Sequence, residues 1–270
     1  MADRRHVDPP SWRLQLLEPF ALLLESAAFA SSLPLFAAVE TGDQHPVLFL
    51  PGFTAGDAST APLRAVVRSH GYWVHAWGLG RNIGPTSRAV SGMRARMAEL
   101  ADTHQRRVSL IGQSLGGIYA RLLARERPDL VRQVITLGSP YRMVAGDRSA
   151  ATPLWRCYEH LHDGDLPLVN VGEQDRVPLA VPATSIYSRV DGVAPWQTCI
   201  DIVRKDAENI EVISSHTGMA LNPAVVVAVL DCLARPEGEW RPFEPPAALR
   251  GWYPRPASWR ERRDDFVAAS

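Results

Sequence analysis

Cysteine is scarce in this chain. Its 270 residues hold three, at positions 157, 199 and 232, with no C-x-x-C pair and no metal-ligand spacing among them. Buried thiols are the expectation, and one disulfide is the alternative. An excess of charge of either sign is lacking as well. The chain has 29 basic and 29 acidic residues and a formal net charge of zero, which removes any general electrostatic pull toward nucleic acid. An uninterrupted apolar run near the N-terminus is also missing. The stretch from Leu14 to Phe29 is rich in leucine and alanine, but Glu18, Pro19 and Glu25 break it. That pattern argues against a secretory leader, and the span reads as too short and too polar to cross a bilayer. No internal repeat is visible.

The same stretch suits an amphipathic helix with Leu14, Leu17, Leu24 and Ala28 on one face. The expectation is a helix packed on the domain, and peripheral membrane contact through it is the sharper alternative. A cytoplasmic location is expected, with a secreted or membrane-peripheral one as the alternatives.

With 46% hydrophobic residues, the chain can bury a sizeable core, near the upper size for a single one. Pro46 to Leu50 is a continuous apolar run, the pattern of a strand buried on both faces. A helix over 61–69, a strand over 72–77 and a helix to about His104 follow. Next come a strand over 108–113, a helix from Leu115 ending before Pro128, and a strand over 131–137. This alternation predicts a mostly parallel central sheet with helices on both faces. The rhythm breaks over about 141–182, a long insertion expected to form a cap. It resumes with strands over 183–187 and 210–213 and a helix over 223–234. Three parts result: a helical segment over 1–40, an α/β domain over 41–234 that carries the cap, and a tail over 235–270. The tail holds six Pro and three Trp, and its charged run at 260–265 reads as a solvated end.

The chemistry is concentrated at Gly112-Gln113-Ser114-Leu115-Gly116. This is a G-x-S-x-G pattern between a strand and a helix, the setting in which a strained turn projects a serine hydroxyl above a sheet. A hydroxyl is a weak nucleophile. It needs a base, an acid to orient that base, and donors for the developing oxyanion. In such a sheet the partners follow in the order serine, acid, histidine. Of the eight histidines only His160, His162 and His216 lie beyond Ser114. His160 and His162 fall in the cap, whereas His216 follows the last strand. Asp191 stands just past the strand over 183–187, with one helix and one strand expected between it and His216. Asp175 is the rival acid. Asp163 and Asp165 belong to the cap, and Asp201 is expected inside a helix. The oxyanion donors would be the backbone N–H groups of Leu115 and of Phe53, in the Pro51-Gly52-Phe53 turn. Phe53, Leu79, Leu115, Tyr141 and Met143 are candidate lining for an apolar acyl pocket. Arg81 and Asn82 would orient a polar part of the substrate or simply hold their loop. The chemistry calls for no metal and no cofactor.

These segments, together with Leu137-Gly138-Ser139-Pro140 and Ser215-His216-Thr217-Gly218, resemble the α/β-hydrolases of the lipase/esterase type. The bacterial triacylglycerol-lipase-like hydrolases are similar in opening on a Pro-Gly-Phe or His-Gly-Phe turn. The resemblance spans residues 46 to 234 and departs at Pro51, where many lipases carry histidine. It implies an α/β-hydrolase fold and cleavage of a small-molecule ester with an apolar acyl group, without nucleic acid as partner. An acyltransferase on the same three residues is the alternative. A non-catalytic binding module, a protease and a thioesterase are minor ones.

Overall fold

A computed structural model describes residues 6–143, 146–162 and 178–257. Among these residues six strands form one sheet: β1 (Pro46–Leu50), β2 (Trp73–His75), β3 (Val108–Gln113), β4 (Val131–Leu137), β5 (Ala183–Tyr187) and β6 (Ala207–Glu211). Their spatial order is β2-β1-β3-β4-β5-β6, and every pairing is parallel. The order reverses at β1, so the crevice beyond the carboxyl ends of β1 and β3 is a topological switch point.

Side chains alternate across the sheet and build two cores. Val47, Phe49, Ile111, Ile135, Ile186 and Ile210 face one side, where α3 (Ala61–Ser69) and α7 (Pro223–Ala234) cover them. Leu48, Leu50, Leu110 and Val134 face the other, under α4 (Ser87–His104) and α5 (Leu115–Glu126). Burial on both faces is why β1 is apolar throughout. Thr86 starts α4 as expected for a capping residue, its hydroxyl accepting the Ala89 N–H at 3.1 Å.

Three expectations need correction. The last strand lies at 207–211, not 210–213, because β6 buries polar residues that an apolar pattern does not reveal. Glu208 pairs with Arg235, Asn209 bonds Asp201, and Glu211 accepts the Tyr187 hydroxyl. Between Asp191 and His216 lie only one turn of 3-10 helix (Trp196–Thr198) and β6. Asp201 is therefore not helical. It is buried and pairs with Arg121 at 2.8 Å.

The third correction concerns α1 (Trp12–Ser31), which the short α2 (Leu33–Phe36) follows; its 20 residues are long and apolar enough to cross a membrane by length and composition. Of the four residues expected on its inner face, Leu14 and Ala28 are half-buried, but Leu17 and Leu24 are exposed. Glu18, 7% exposed, and Glu25 face the protein, while Leu17, Phe20, Leu23 and Leu24 face outward, Phe20 at 68% and Leu24 at 73%. Leucine periodicity pointed the other way. The carboxylates win the inner face because backbone and hydroxyl donors await them there.

The three cysteines are free, Cys199 and Cys232 buried and Cys157 exposed. Among the described residues of the insertion over about 141–182, α6 (Thr152–Tyr158) is followed by one 3-10 turn, Glu159–Leu161. Residues 235–257 are tied to the domain. Arg235 pairs with Glu208 and Asp231, and the Tyr253 hydroxyl donates to the Ala224 carbonyl. The run at 260–265 lies outside the described residues.

Candidate active site

Ser114 occupies the turn between β3 and α5 with φ 52° and ψ −121°, a backbone conformation that a residue with a side chain rarely adopts. Its N–H continues the sheet by donating to the Leu137 carbonyl at 2.8 Å. The flanking glycines are steric necessities. A Cβ at Gly112 would overlap the Gly116 carbonyl, and one at Gly116 would overlap the Leu50 carbonyl oxygen. A Cβ at Gly117 would strike the Ser139 hydroxyl. Glycine at all three lets α5 descend onto β1 and β3, and the turn then lifts the serine above the sheet.

Leu115 is the first residue of α5, so its N–H has no carbonyl one turn back to bond. Gly52 approaches the serine so closely that a Cβ there would sit 3.2 Å from the Ser114 Cβ. The turn it belongs to is tied down. The Thr54 N–H donates to the Asn82 carbonyl at 2.6 Å, and the Ala55 N–H to the Gly52 carbonyl at 3.1 Å. Asn82, fully buried, donates from Nδ2 to the Pro51 carbonyl at 2.8 Å, and Arg81 donates to the Thr54 carbonyl at 2.7 Å. Of the two roles weighed for Arg81 and Asn82, these bonds are those of loop supports.

Asp191 and His216 come from the carboxyl ends of β5 and β6. His216 Nδ1 lies 2.7 Å from Asp191 Oδ2. A carboxylate only accepts, so Nδ1 carries the proton and Nε2 keeps its lone pair in the neutral imidazole. The other Asp191 oxygen accepts the N–H groups of Val193 (2.8 Å) and Ala194 (2.6 Å). The Ser188 hydroxyl oxygen accepts from Val190 at 3.2 Å and from Ser214 at 3.1 Å, joining the two loops. Gln113, the residue before Ser114, donates to the His216 carbonyl at 3.0 Å. Carboxylate, imidazole and hydroxyl are thus gathered at one edge of the sheet. Burial works against the His216 cation, but the Asp191 carboxylate beside it and the charge of Glu18 outweigh that and raise its pKa above the ordinary value.

Glu18 was legible in the sequence only as a break in an apolar stretch. Its Oε1 accepts the N–H groups of Gly192 and His216, each at 2.8 Å. Its Oε2 accepts the Thr217 N–H at 3.0 Å and hydroxyl at 2.8 Å. Burial pushes this carboxyl up, yet the donors from Thr217, His216 and Gly192 bring it below the usual carboxylate range. Glu25 accepts from the Ser214 hydroxyl (2.5 Å), the Ser215 N–H (3.1 Å) and hydroxyl, and Asn222 (3.0 Å).

A cleft of about 250 Å³ opens over Ser114, lined by Phe53, Leu115, Ile118, Met143, Trp155 and Val193 among others. Trp155 and Tyr158 of α6 lie over the Phe53 ring, with centroids 5.2 and 5.8 Å away. Two sequence candidates lie elsewhere. Tyr141 is buried beneath the cleft, its hydroxyl 2.7 Å from Ser185 and its ring 3.8 Å from the Arg121 guanidinium carbon. Leu79 packs against the core on the α4 side, close to Gly92. His162 Nε2 bonds the Ile83 carbonyl at 3.0 Å. Asp163, Asp165 and Asp175 lie outside the described residues.

A second carboxylate–imidazole–hydroxyl chain exists at the opposite end of the sheet. His45 bonds Asp43 through Nδ1 and Ser109 through Nε2, each at 2.7 Å. It has no nucleophilic prospect. Ser109 is fully buried within β3, and burial together with the nearby Arg132 charge lowers His45 to about 4 despite Asp43. Among the described residues no group of three or more His, Cys, Asp or Glu is arranged to hold a metal ion.

No protein-family model matches the chain. Among curated relatives, a triacylglycerol lipase of Burkholderia plantarii is 28% identical over 141 residues, 49% of this chain and 39% of that protein. A triacylglycerol lipase of Pseudarthrobacter phenanthrenivorans is 31% identical over 108 residues, 37% of this chain and 34% of that protein. The matched region spans little more than a third of the length of these relatives. Among solved structures, lipase B of Aspergillus fumigatus superimposes with a TM-score of 0.55 at 15% identity, covering 74% of this chain and 55% of that one. A monoacylglycerol lipase of Paleococcus ferrophilus gives 0.52 at 15% identity, covering 73% and 96%. At such identities the likeness is one of architecture, and the chain has the α/β-hydrolase fold.

Proposed function

We propose that this α/β-hydrolase-fold chain is a serine hydrolase that cleaves carboxylic esters through an acyl-enzyme. Ser114 Oγ attacks the ester carbonyl while His216 Nε2 accepts its proton. Asp191 holds the imidazole in the tautomer that leaves Nε2 free and stabilises the cation that forms. The N–H groups of Leu115 and Phe53 stabilise the oxyanion, each donor worth about 3–4 kcal/mol in the transition state. The tetrahedral intermediate collapses, the C–O bond to the alcohol breaks, and His216 returns its proton to the departing alkoxide. Water, deprotonated by the same nitrogen, then attacks the acyl-serine; the acyl C–Oγ bond breaks, the acid is released, and His216 returns the proton to Ser114 Oγ. No step calls for a metal or a cofactor.

The observation that carries this reading is the strained Ser114 turn opening on an apolar cleft, with the Asp191-bonded imidazole held to the adjacent Gln113. Apolar lining from Phe53, Ile118, Met143 and Trp155 favours an ester with an apolar acyl group. The names of the curated relatives agree with that substrate class. Turnover of p-nitrophenyl esters of graded acyl length, with Ser114→Ala as the control, tests the reading. Activity that rises with acyl length and vanishes in Ser114→Ala is expected. A Ser114→Ala protein that still turns over ends it.

A further inference from the structure

We infer that Glu18 is a positioning residue for the reaction: from α1 it fastens the Asp191 loop and the His216 loop to each other and brings its negative charge against the His216 backbone. The inference rests on the assignment of Asp191 and His216 under Proposed function. It goes further by making a helix far away in sequence hold the proton path in place.

The geometry is specific. One oxygen, Glu18 Oε1, accepts both the N–H of Gly192, next to Asp191, and the N–H of His216 itself. The partners lie 174 and 198 residues away in sequence. The second oxygen takes both donors of Thr217. All four groups donate, so the site needs an acceptor at each oxygen. A carboxylate meets that need, and an amide does not. Two glycines make room for the clamp. A Cβ at Gly192 would press within 2.7 Å of the Leu14 carbonyl oxygen and 2.9 Å of Glu18 Cγ, and one at Gly218 would collide with Glu25 Oε2. A helix that only covered apolar surface would turn its leucines inward. This one turns both carboxylates inward and leaves Leu16, Leu17, Leu23 and Leu24 exposed.

The charged groups facing His216 are Asp191, from the loop after β5, and Glu18, from α1. Glu25 lies one step further, against Ser214 and Ser215. Both near charges favour the imidazolium, which is the form His216 takes in the transition state.

The test compares wild type, Glu18→Gln, Glu18→Asp, Glu25→Gln and Ser114→Ala. Each is assayed for p-nitrophenyl butyrate hydrolysis from pH 5 to 9, with sites titrated by a fluorophosphonate and folding followed by thermal melting. The acid limb of kcat/KM reports loss of the neutral His216 base. Glu18→Gln removes a charge that favours the cation, so the limb should move to lower pH by about half a unit. Loop misplacement should lower kcat per titrated site by about tenfold or more with KM nearly unchanged. Glu25→Gln should lower the melting temperature and leave the limb in place. If Glu18→Gln does not fold, Glu18→Asp carries the test. Its charge remains but cannot span both loops, so kcat falls and the limb shifts less. A limb at the wild-type pH in Glu18→Gln, or wild-type kcat and limb in Glu18→Asp, overturns the inference and leaves the hydrolase reading standing. Undiminished turnover by Ser114→Ala overturns both.

Discussion

Replacing Asp191 by Asn probes the proposed proton path with almost no change of shape. In the wild type, Oδ1 accepts two backbone N–H groups, from Val193 and Ala194, while Oδ2 accepts the Nδ1 proton of His216. Asparagine has one acceptor end and one donor end. Its oxygen must stay on the Val193 and Ala194 side, because turning the NH2 toward them sets donor against donor and forfeits two hydrogen bonds, at about 1–3 kcal/mol for each group left unsatisfied. The NH2 therefore faces His216 Nδ1. That nitrogen must then accept, and the imidazole proton moves to Nε2, the position that has to be empty to take the serine proton. The fold survives and the tautomer is wrong. A change of this kind is worth about 10⁴ in kcat, or roughly 5 kcal/mol of barrier at 1.36 kcal/mol per decade. The assay is kcat per fluorophosphonate-titrated site on p-nitrophenyl butyrate at pH 7.5. A fall of about three to four decades is expected, with a melting temperature near that of the wild type. An Asp191→Asn enzyme within tenfold of wild type would refute the reasoning and move the acid elsewhere, with Asp175 first in line.

Other consequences follow from the packing. Gly116→Ala drives a methyl into the Leu50 backbone, which cannot yield as a side chain would. It should cost about 3 kcal/mol in urea unfolding, and a loss below 0.5 kcal/mol would contradict the close-approach account of the turn. His45 is neutral in the fold, lowered by burial to about 4 from 6.5. The unfolded chain therefore binds its proton first as pH falls. Stability carried by the neutral imidazole is whole above about pH 6.5 and is lost down to about pH 4, on the order of 3 kcal/mol. His45→Gln should flatten that part of the stability–pH curve, and an unchanged slope would count against it. The outward face of α1, with Trp12, Phe20, Leu23 and Leu24 exposed, should bring the protein to the surface of phosphatidylcholine vesicles in flotation. Phe20→Glu with Leu23→Glu should abolish this, and equal flotation of that variant would rule the face out.

What could be read from the sequence divides along physical lines. The Ser114 turn was legible because its glycines answer local sterics, over distances of a few residues along one strand and one helix. Asp191 and His216 were legible as residues at strand ends, since a parallel sheet gathers those ends at one edge. The Glu18 clamp was not legible. Its partners lie more than 170 residues away, and a carboxylate in a leucine-rich stretch reads by hydropathy as an outward residue. Nothing local signals that seven backbone and hydroxyl donors wait beneath α1. The start of β6 failed for a related reason: Glu208, Asn209 and Glu211 are buried only because distant partners satisfy them. Tyr141 follows a strand end and so looks like cleft lining, but the chain turns it down toward Ser185 and Arg121. Trp155 was missed as a cleft residue, and Tyr158 as its neighbour over Phe53, because nothing in the spacing of the insertion fixes where α6 rests.

The central claim is that the hydroxyl of Ser114 is the nucleophile and that His216 makes it one. Labelling with a fluorophosphonate, followed by peptide mass spectrometry, tests that claim most directly. The expected result is one adduct, on Ser114, that disappears in Ser114→Ala and slows by at least about 10³-fold in His216→Ala. An adduct on another serine, or labelling of Ser114 at the wild-type rate without His216, would contradict it.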